Sequence, residues 1–375
     1  MQKYLIHLVF ICLLLCACNH QQTTNTPQAY TYTTDSLRYA QHFCIQQASN
    51  HTLLTLYSPW QKGHVLGRYY LIPHDSIATP TNGHRIVVPL EKVCIQSAPH
   101  VGYIDALNQT HKVIGACSPQ LLYSPIAQQR YQQNLITHLG DAYQMRLEKI
   151  KQIAPQALLT TAYPQGDNQT QRLQNDLIII PTTEWAEPNV LARAEWIKIY
   201  GLLFGCTQQA DSIFQYTVDT YQKYATLAKQ ATSHPSIMSG LPYKDTWYMP
   251  GGQSFMGQLL QDANIHYHYA QNTETSSLPL SFETVWYHFG QADIWIGIDA
   301  DTQEQLLQMD VRLGNFKAFK NKKLYHYRKR TNATGGNDFW ESAMVYPHRL
   351  LQDLITITHP HLLPSDSCFY IGPVL

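Results

Sequence analysis

Residues 188–231 sustain helical character, and the short apolar runs on both sides of them alternate with further helical patterns. Val190, Ala194, Ile197, Gly201 and Phe204 follow at alternating four- and three-residue steps. Ala210, Phe214, Tyr221, Tyr224 and Ala228 then form an apolar stripe that one long helix can present. That helix must end before Thr232-Ser233-His234-Pro235, because proline excludes the helical conformation from the residue before it. Upstream, the strand-like runs 85–89, 113–116, 157–161 and 177–181 are separated by helical patterns. Downstream the alternation resumes with a strand at 236–239, a helix near 254–263, a strand at 294–298 and a helix at 347–357. Strand, helix, strand is the signature of a parallel α/β layer. The expected fold class is therefore α/β: two lobes with central parallel sheets joined by a long helix. A small β extension at the N-terminus is expected from 39–47, 52–57 and 68–73, which Ser58-Pro59 and Lys62-Gly63 interrupt.

The first residues carry a different signal. Lys3 supplies a positive start, residues 4–15 are an apolar core too short to span a bilayer, and Leu15-Cys16-Ala17-Cys18 offers a cleavage site. The site resembles the bacterial lipobox, which implies a lipoprotein signal peptide at 1–18 and an acylated Cys18 as the mature N-terminus, followed by a polar tether. Several acyl chains, at about 0.8 kcal/mol per buried methylene, hold a protein durably to a membrane. The expected location is the bacterial cell envelope, anchored to a membrane and facing the periplasm. The expected organisation is signal peptide 1–18, tether and β extension 19–82, N-terminal lobe 83–205, interlobe helix 206–232 and C-terminal lobe 233–375.

With 44% apolar and 14% charged residues the chain is expected to be globular. Lys+Arg of 26 against Asp+Glu of 26 leaves no basic field to hold nucleic acid. Cys44, Cys94, Cys117, Cys206 and Cys368 would remain after processing, without CxxC spacing, so a zinc ribbon or thioredoxin motif is not indicated. One or two disulfides are compatible with an oxidising compartment.

Several segments resemble the periplasmic binding proteins for siderophores, cobalamin and haem, whose lobes are joined by a rigid helix. Residues 85–89 (RIVVP) are similar to that family's opening strand, 95–107 to its cleft-edge turn and helix, and Val113-Ile114-Gly115 to its second strand. MRLEKI at 145–150 with IAPQALL at 153–159, and LSFETV at 280–285 with ADIWI at 292–296, are similar to a Glu-helix-strand segment that the family carries once per lobe. The resemblance implies the substrate-binding component of an ABC importer, working with a permease dimer and its ATPase, with no intrinsic cofactor. Its transported ligand would be a metal chelate: a ferric siderophore, cobalamin or haem. It also implies that Glu148 and Glu283, one per lobe, dock the two permease subunits.

A cleft between facing lobes draws on loops at the ends of strands. The candidates are Ser97, His100, Tyr123, Tyr163 and Trp185 in the first lobe, and Trp247, Tyr248, Arg328, Arg330 and Trp340 in the second. Aromatic faces suit flat chelates and guanidinium groups suit anionic ones. His100 and His326 are further candidates as axial or rim groups for haem or cobalamin. His266 and His268 alternate on one face, a pattern open to a metal pair but read as surface histidines. An envelope enzyme acting on the same chelate is the rival class; motifs such as Gly-x-Ser-x-Gly and His-Glu-x-x-His do not occur.

Overall fold

In the N-terminal sheet, cross-strand partners place apolar side chains in columns. Ile45 lies opposite Leu54, Leu54 opposite Tyr69, and Phe43 opposite Leu56, and all of these side chains are buried. The computed structural model describes residues 30–375, so Cys18 and the polar tether expected at 19–28 lie outside the described residues. Thr33–Leu375 forms one compact unit. The N-terminal sheet runs in the order Thr33–Thr34, Phe43–Gln47, Thr52–Tyr57, Val65–Ile72, His84–Val87, with antiparallel neighbours except for the last pair.

That last strand corrects one expectation. Residues 85–89 do not open the first lobe: His84–Val87 lies parallel to Val65–Ile72 at the edge of the N-terminal sheet. In this run only Ile86 is buried, whereas the strand that does enter the lobe, Val93–Ile95, is buried at every position. Parallel strands covered on both faces need that continuous burial. The first-lobe sheet is fully parallel, ordered Ile178–Thr182, Ala157–Thr161, Val93–Ile95, Val113–Ala116, Thr137–His138, and all five strands end at one edge.

The second lobe has a thinner parallel layer. Ile237–Ser239 pairs with Ile294–Ile296, and single bridges extend the pair through His266 on one side and Leu324 on the other. An antiparallel sheet, Pro242–Tyr243, Thr246–Pro250 and Ser277–Leu280, flanks it.

Thr207–Ala228 is the expected connecting helix, burying Ala210, Phe214, Val218, Tyr221 and Ala228 along one stripe. Its start packs on Ile197–Phe204, where a Cβ at Gly201 would sit 2.6 Å from that of Ala210, so glycine permits the close approach. Its later turns are tied to the second lobe: Tyr221 donates to Asp262 (2.6 Å) and Tyr224 to Gln352 (2.9 Å). One continuous apolar core runs through both lobes and the helix.

The lobes also touch directly. Helix Ala98–Ala106 packs on Asp338–Ser342 so tightly that a Cβ on Gly102 would lie 1.9 Å from the Glu341 carbonyl oxygen. The Glu341 carboxylate accepts the Tyr123 N–H and, at 2.9 Å, the Ser124 N–H, and Asn332 donates to the Leu122 carbonyl (2.9 Å). Burial pushes the Glu341 pKa up to about 8.

Two other buried carboxylates fasten the N-terminal segment. Glu195 accepts backbone N–H groups of Arg38 (3.0 Å), Tyr39 (2.8 Å) and Ala40 (2.9 Å), and Glu187 those of Gln41 (3.1 Å) and His42 (3.0 Å). Lys198 balances Glu195 at 3.0 Å, and Trp196 Nε1 donates to Glu187 at 3.0 Å. Tyr69 bridges the two sheets by donating to the Ile179 carbonyl (2.6 Å). All five described cysteines are free thiols, so the disulfides that the compartment would permit do not form among them. No helix among the described residues is long and apolar enough to cross a membrane.

Candidate functional site

Strand Val93–Ile95 delivers Gln96, Ser97 and Ala98 to the edge of the first lobe, and strand Ile294–Ile296 delivers Gly297, Ile298 and Asp299 to the edge of the second. Gly297 holds φ +68° beside Tyr327, so a glycine lets the chain turn sharply out of the sheet there. Between these ends lies a cavity of about 760 Å³, walled by Ala98 and Leu121 on one side and by Gly297–Asp299, Tyr327, Arg328 and Trp340 on the other. Trp340 is 59% exposed, and its ring meets Phe339, which stacks on Tyr327 with centroids 4.5 Å apart. Among the described residues the one cation in this wall is Arg328, held by Asp299 (3.4 Å) and Asp301 (3.3 Å).

Ser97, one residue before Ala98, borders a second cavity of about 370 Å³ together with Thr161, Tyr163 and Asp167. Its hydroxyl lies 2.9 Å from the Thr161 hydroxyl. Of the residues predicted from the sequence, Arg328 and Trp340 thus share the interlobe cavity, and Ser97 and Tyr163 share its neighbour.

The others lie elsewhere, for identifiable reasons. His100 is 0% exposed, with Nε2 3.1 Å from the Thr182 hydroxyl, and burial pushes its pKa down to about 3, so it is a neutral core group and not a rim donor. Trp247 is also 0% exposed: its indole N–H donates to the Ser239 carbonyl (2.9 Å) and its ring packs on Trp295 and Phe316. Tyr248, next along the strand, faces outward and lines no part of the cavity. Tyr123 and Arg330 meet each other (5.1 Å), but in a separate hollow at the lobe contact, where Asp338 holds Arg330 at 2.6 Å. Trp185 stands behind Tyr163, its indole N–H on the Ala162 carbonyl (3.1 Å). His326 accepts the Arg328 N–H (3.1 Å) and is absent from the cavity walls. His268 stacks on His288 (4.0 Å), and no group of three metal-ligating side chains occurs among the described residues.

Glu148 and Glu283 both occupy the first turn of an exposed helix, Leu147–Ile153 and Phe282–Phe289. Ser281 caps the second helix by accepting the Thr284 N–H (3.2 Å). Hydrogen bonds from the Glu283 backbone and the Ser281 hydroxyl hold the Glu283 carboxyl below its usual range, with Arg312 3.9 Å away.

Sequence reasoning missed Asp299, Leu121 and Tyr327. Asp299 had a readable signal, since it stands three residues beyond the end of a buried strand; Leu121 sits in a loop whose path depends on the lobe contact.

Residues 116–331 match the family model described as periplasmic binding protein. An uncharacterized lipoprotein of Methanocaldococcus jannaschii is 22% identical over 363 residues, covering 90% of this chain and 85% of that protein. A second lipoprotein of the same organism is 22% identical over 380 residues, covering 92% and 90%. A periplasmic heme binding protein from Pseudomonas aeruginosa, 16% identical, shares the fold with a TM-score of 0.58 over 76% of this chain and 98% of its own. Ceue of Helicobacter pylori with Ni(II) bound, 12% identical, does so with a TM-score of 0.58 over 77% and 90%. With more than half of its length matched by that model, and with both lobes and the connecting helix in place, this chain belongs to the periplasmic binding protein family.

Proposed function

We propose that the protein is the lipid-anchored substrate-binding component of an ABC importer, capturing a bulky metal chelate of low net charge between its lobes and delivering it to a permease dimer and its ATPase. The observation that carries this reading is the interlobe cavity of about 760 Å³, which has two aromatic rings, Tyr327 and Trp340, in its second-lobe wall and an arginine already paired with two aspartates. That volume suits a ligand of several hundred Å³. A strongly anionic chelate would compete with Asp299 and Asp301 for Arg328 and, among the described residues, would meet no further cation in the wall. A ferric siderophore of the hydroxamate type satisfies this charge balance, and cobalamin is the second reading. Haem is disfavoured on charge, because its two propionates would meet only the already paired Arg328; the absence of His100 and His326 from the wall bears equally on haem and cobalamin. Proteins of the same fold are named as binders of heme and of ferric acinetobactin, which supports the broader class of bulky chelates. The role is capture and delivery, not catalysis.

Glu148 and Glu283 support delivery: each is an exposed carboxylate at the start of a helix, one in each lobe. An exposed ion pair is worth only about 0–1 kcal/mol, so these residues orient the complex and leave most of the affinity to other contacts. Acylation of Cys18 would hold the protein at the membrane where the permease lies. The doubly fastened lobes, through the Thr207–Ala228 helix and the Glu341 contact, favour a small opening and a largely preformed cleft.

The test is a calorimetric titration of the purified protein with a neutral ferric trihydroxamate, cyanocobalamin, a ferric tricatecholate and haemin. Saturable binding of one of the first two is expected. Binding confined to the anionic tricatecholate or haemin would refute the low-charge reading.

A further inference from the structure

A third cavity, of about 480 Å³, lies where the N-terminal sheet meets the first lobe. One wall is Trp60, carried on the hairpin loop between Thr52–Tyr57 and Val65–Ile72, with Tyr69 and His84 of the same sheet. The facing wall belongs to the first lobe and includes Tyr163, Asp167, Gln171, Gln174 and Asn175. Thr161, Tyr163, Gly166 and Asp167 line both this cavity and the one beside Ser97, so the two adjoin. The N-terminal sheet precedes residues 116–331, and the cavity exists only because that sheet supplies its outer wall.

Its chemistry differs from that of the interlobe cleft. Trp60 and Tyr163 are 38% and 39% exposed, and Trp185 holds them in place from behind, at 6.0 Å from one ring and 5.6 Å from the other. The Trp60 loop is itself braced by the Ser58 hydroxyl, which accepts the Trp60 and Gln61 N–H groups (3.3 and 3.2 Å). Around these rings stand side-chain amides, threonine hydroxyls, an imidazole and one carboxylate, and among the described residues no lysine or arginine lines the wall. An anionic ligand would find no cation there and would face Asp167. A hydrocarbon would strand the amides and hydroxyls without partners. A ring with an apolar face and a rim of hydroxyl groups satisfies both: the face lies on the aromatic rings, and the hydroxyls exchange hydrogen bonds with Gln171, Gln174, Asn175 and Asp167.

We propose that this cavity is a second binding site, built by the N-terminal sheet on the first lobe, for an uncharged polyhydroxylated ring of the sugar type. It is independent of which chelate the interlobe cleft takes. The test begins with the labelled full-length mature chain on an array of neutral and acidic glycans, followed by calorimetry of the strongest neutral hit with wild-type, Trp60→Ala, Gln174→Ala and Trp340→Ala proteins. Trp60 and Gln174 lie at the surface, so matching thermal melts will show that those variants fold. The expected result is a neutral glycan whose affinity falls about tenfold or more in Trp60→Ala, falls measurably in Gln174→Ala and is unchanged in Trp340→Ala. An array without hits, hits confined to acidic glycans, or a neutral hit indifferent to Trp60→Ala would each overturn the proposal. A hit lost in Trp340→Ala would place the sugar in the interlobe cleft, and the second site would fall.

Discussion

Glu341 joins the lobes through two amide N–H groups, and its removal has a calculable cost. In Glu341→Ala the N–H groups of Tyr123 and Ser124 lose their shared acceptor. At about 1–3 kcal/mol for each buried donor left unpaired, partly offset where water fills the vacated space, the loss should be about 2–4 kcal/mol. Glu341→Gln keeps one acceptor oxygen and should cost less than half as much. The two variants also separate the role of charge. The carboxyl's pKa rises from 4.5 to about 8 through burial, reinforced by the nearby charges of Asp338 and Asp105, so across that interval the folded chain holds more protons than the unfolded one. Stability therefore falls as pH rises through this window, and the contribution is intact below it. Urea unfolding followed by tryptophan fluorescence at about pH 5 and about pH 8 measures both effects. Wild type should lose stability between these values and Glu341→Gln should lose distinctly less. An alanine variant within about 0.5 kcal/mol of wild type, or a glutamine variant with the full pH slope, would refute the reasoning.

Other consequences follow from the same geometry. Glu195→Ala removes the acceptor of three backbone N–H groups and the partner of Lys198, and should destabilise the chain by about 3–5 kcal/mol; hydrogen exchange should show residues 33–47 losing protection first, and uniform loss across the chain would contradict this. Charge reversal at both docking positions, Glu148→Lys with Glu283→Lys, should leave chelate affinity unchanged while reducing uptake in cells at least several-fold, and unchanged uptake would sink the docking assignment.

Elements whose burial is set by local pattern were legible in the sequence. Ala157–Thr161 is a short run of Ala, Leu and β-branched Thr bounded by proline-containing turns, and Thr207–Ala228 repeats its stripe over six turns, so both emerge within a residue or a few of their expected limits. His84–Val87 did not, because a half-buried edge strand and a buried central strand share the same residue types over so short a length. In the site the obstacle was direction. Trp247 and Tyr248 are neighbours on one strand and must face opposite ways, so both could not line one cleft; the structure turns Trp247 into the core and leaves Tyr248 outside. Arg330 was legible as a cation but not as the partner of Asp338, and Glu187 and Glu195 hold segments about 150 positions away, for which no local pattern exists.

Capture of a chelate requires the space between the lobes to be its binding site. The direct measurement is calorimetry with the neutral ferric trihydroxamate and cyanocobalamin on wild-type and Trp340→Ala protein. One of the two ligands should bind with a stoichiometry of one, and losing the Trp340 face should weaken it about tenfold. Binding of neither ligand, or an affinity unmoved by the substitution, would contradict the assignment.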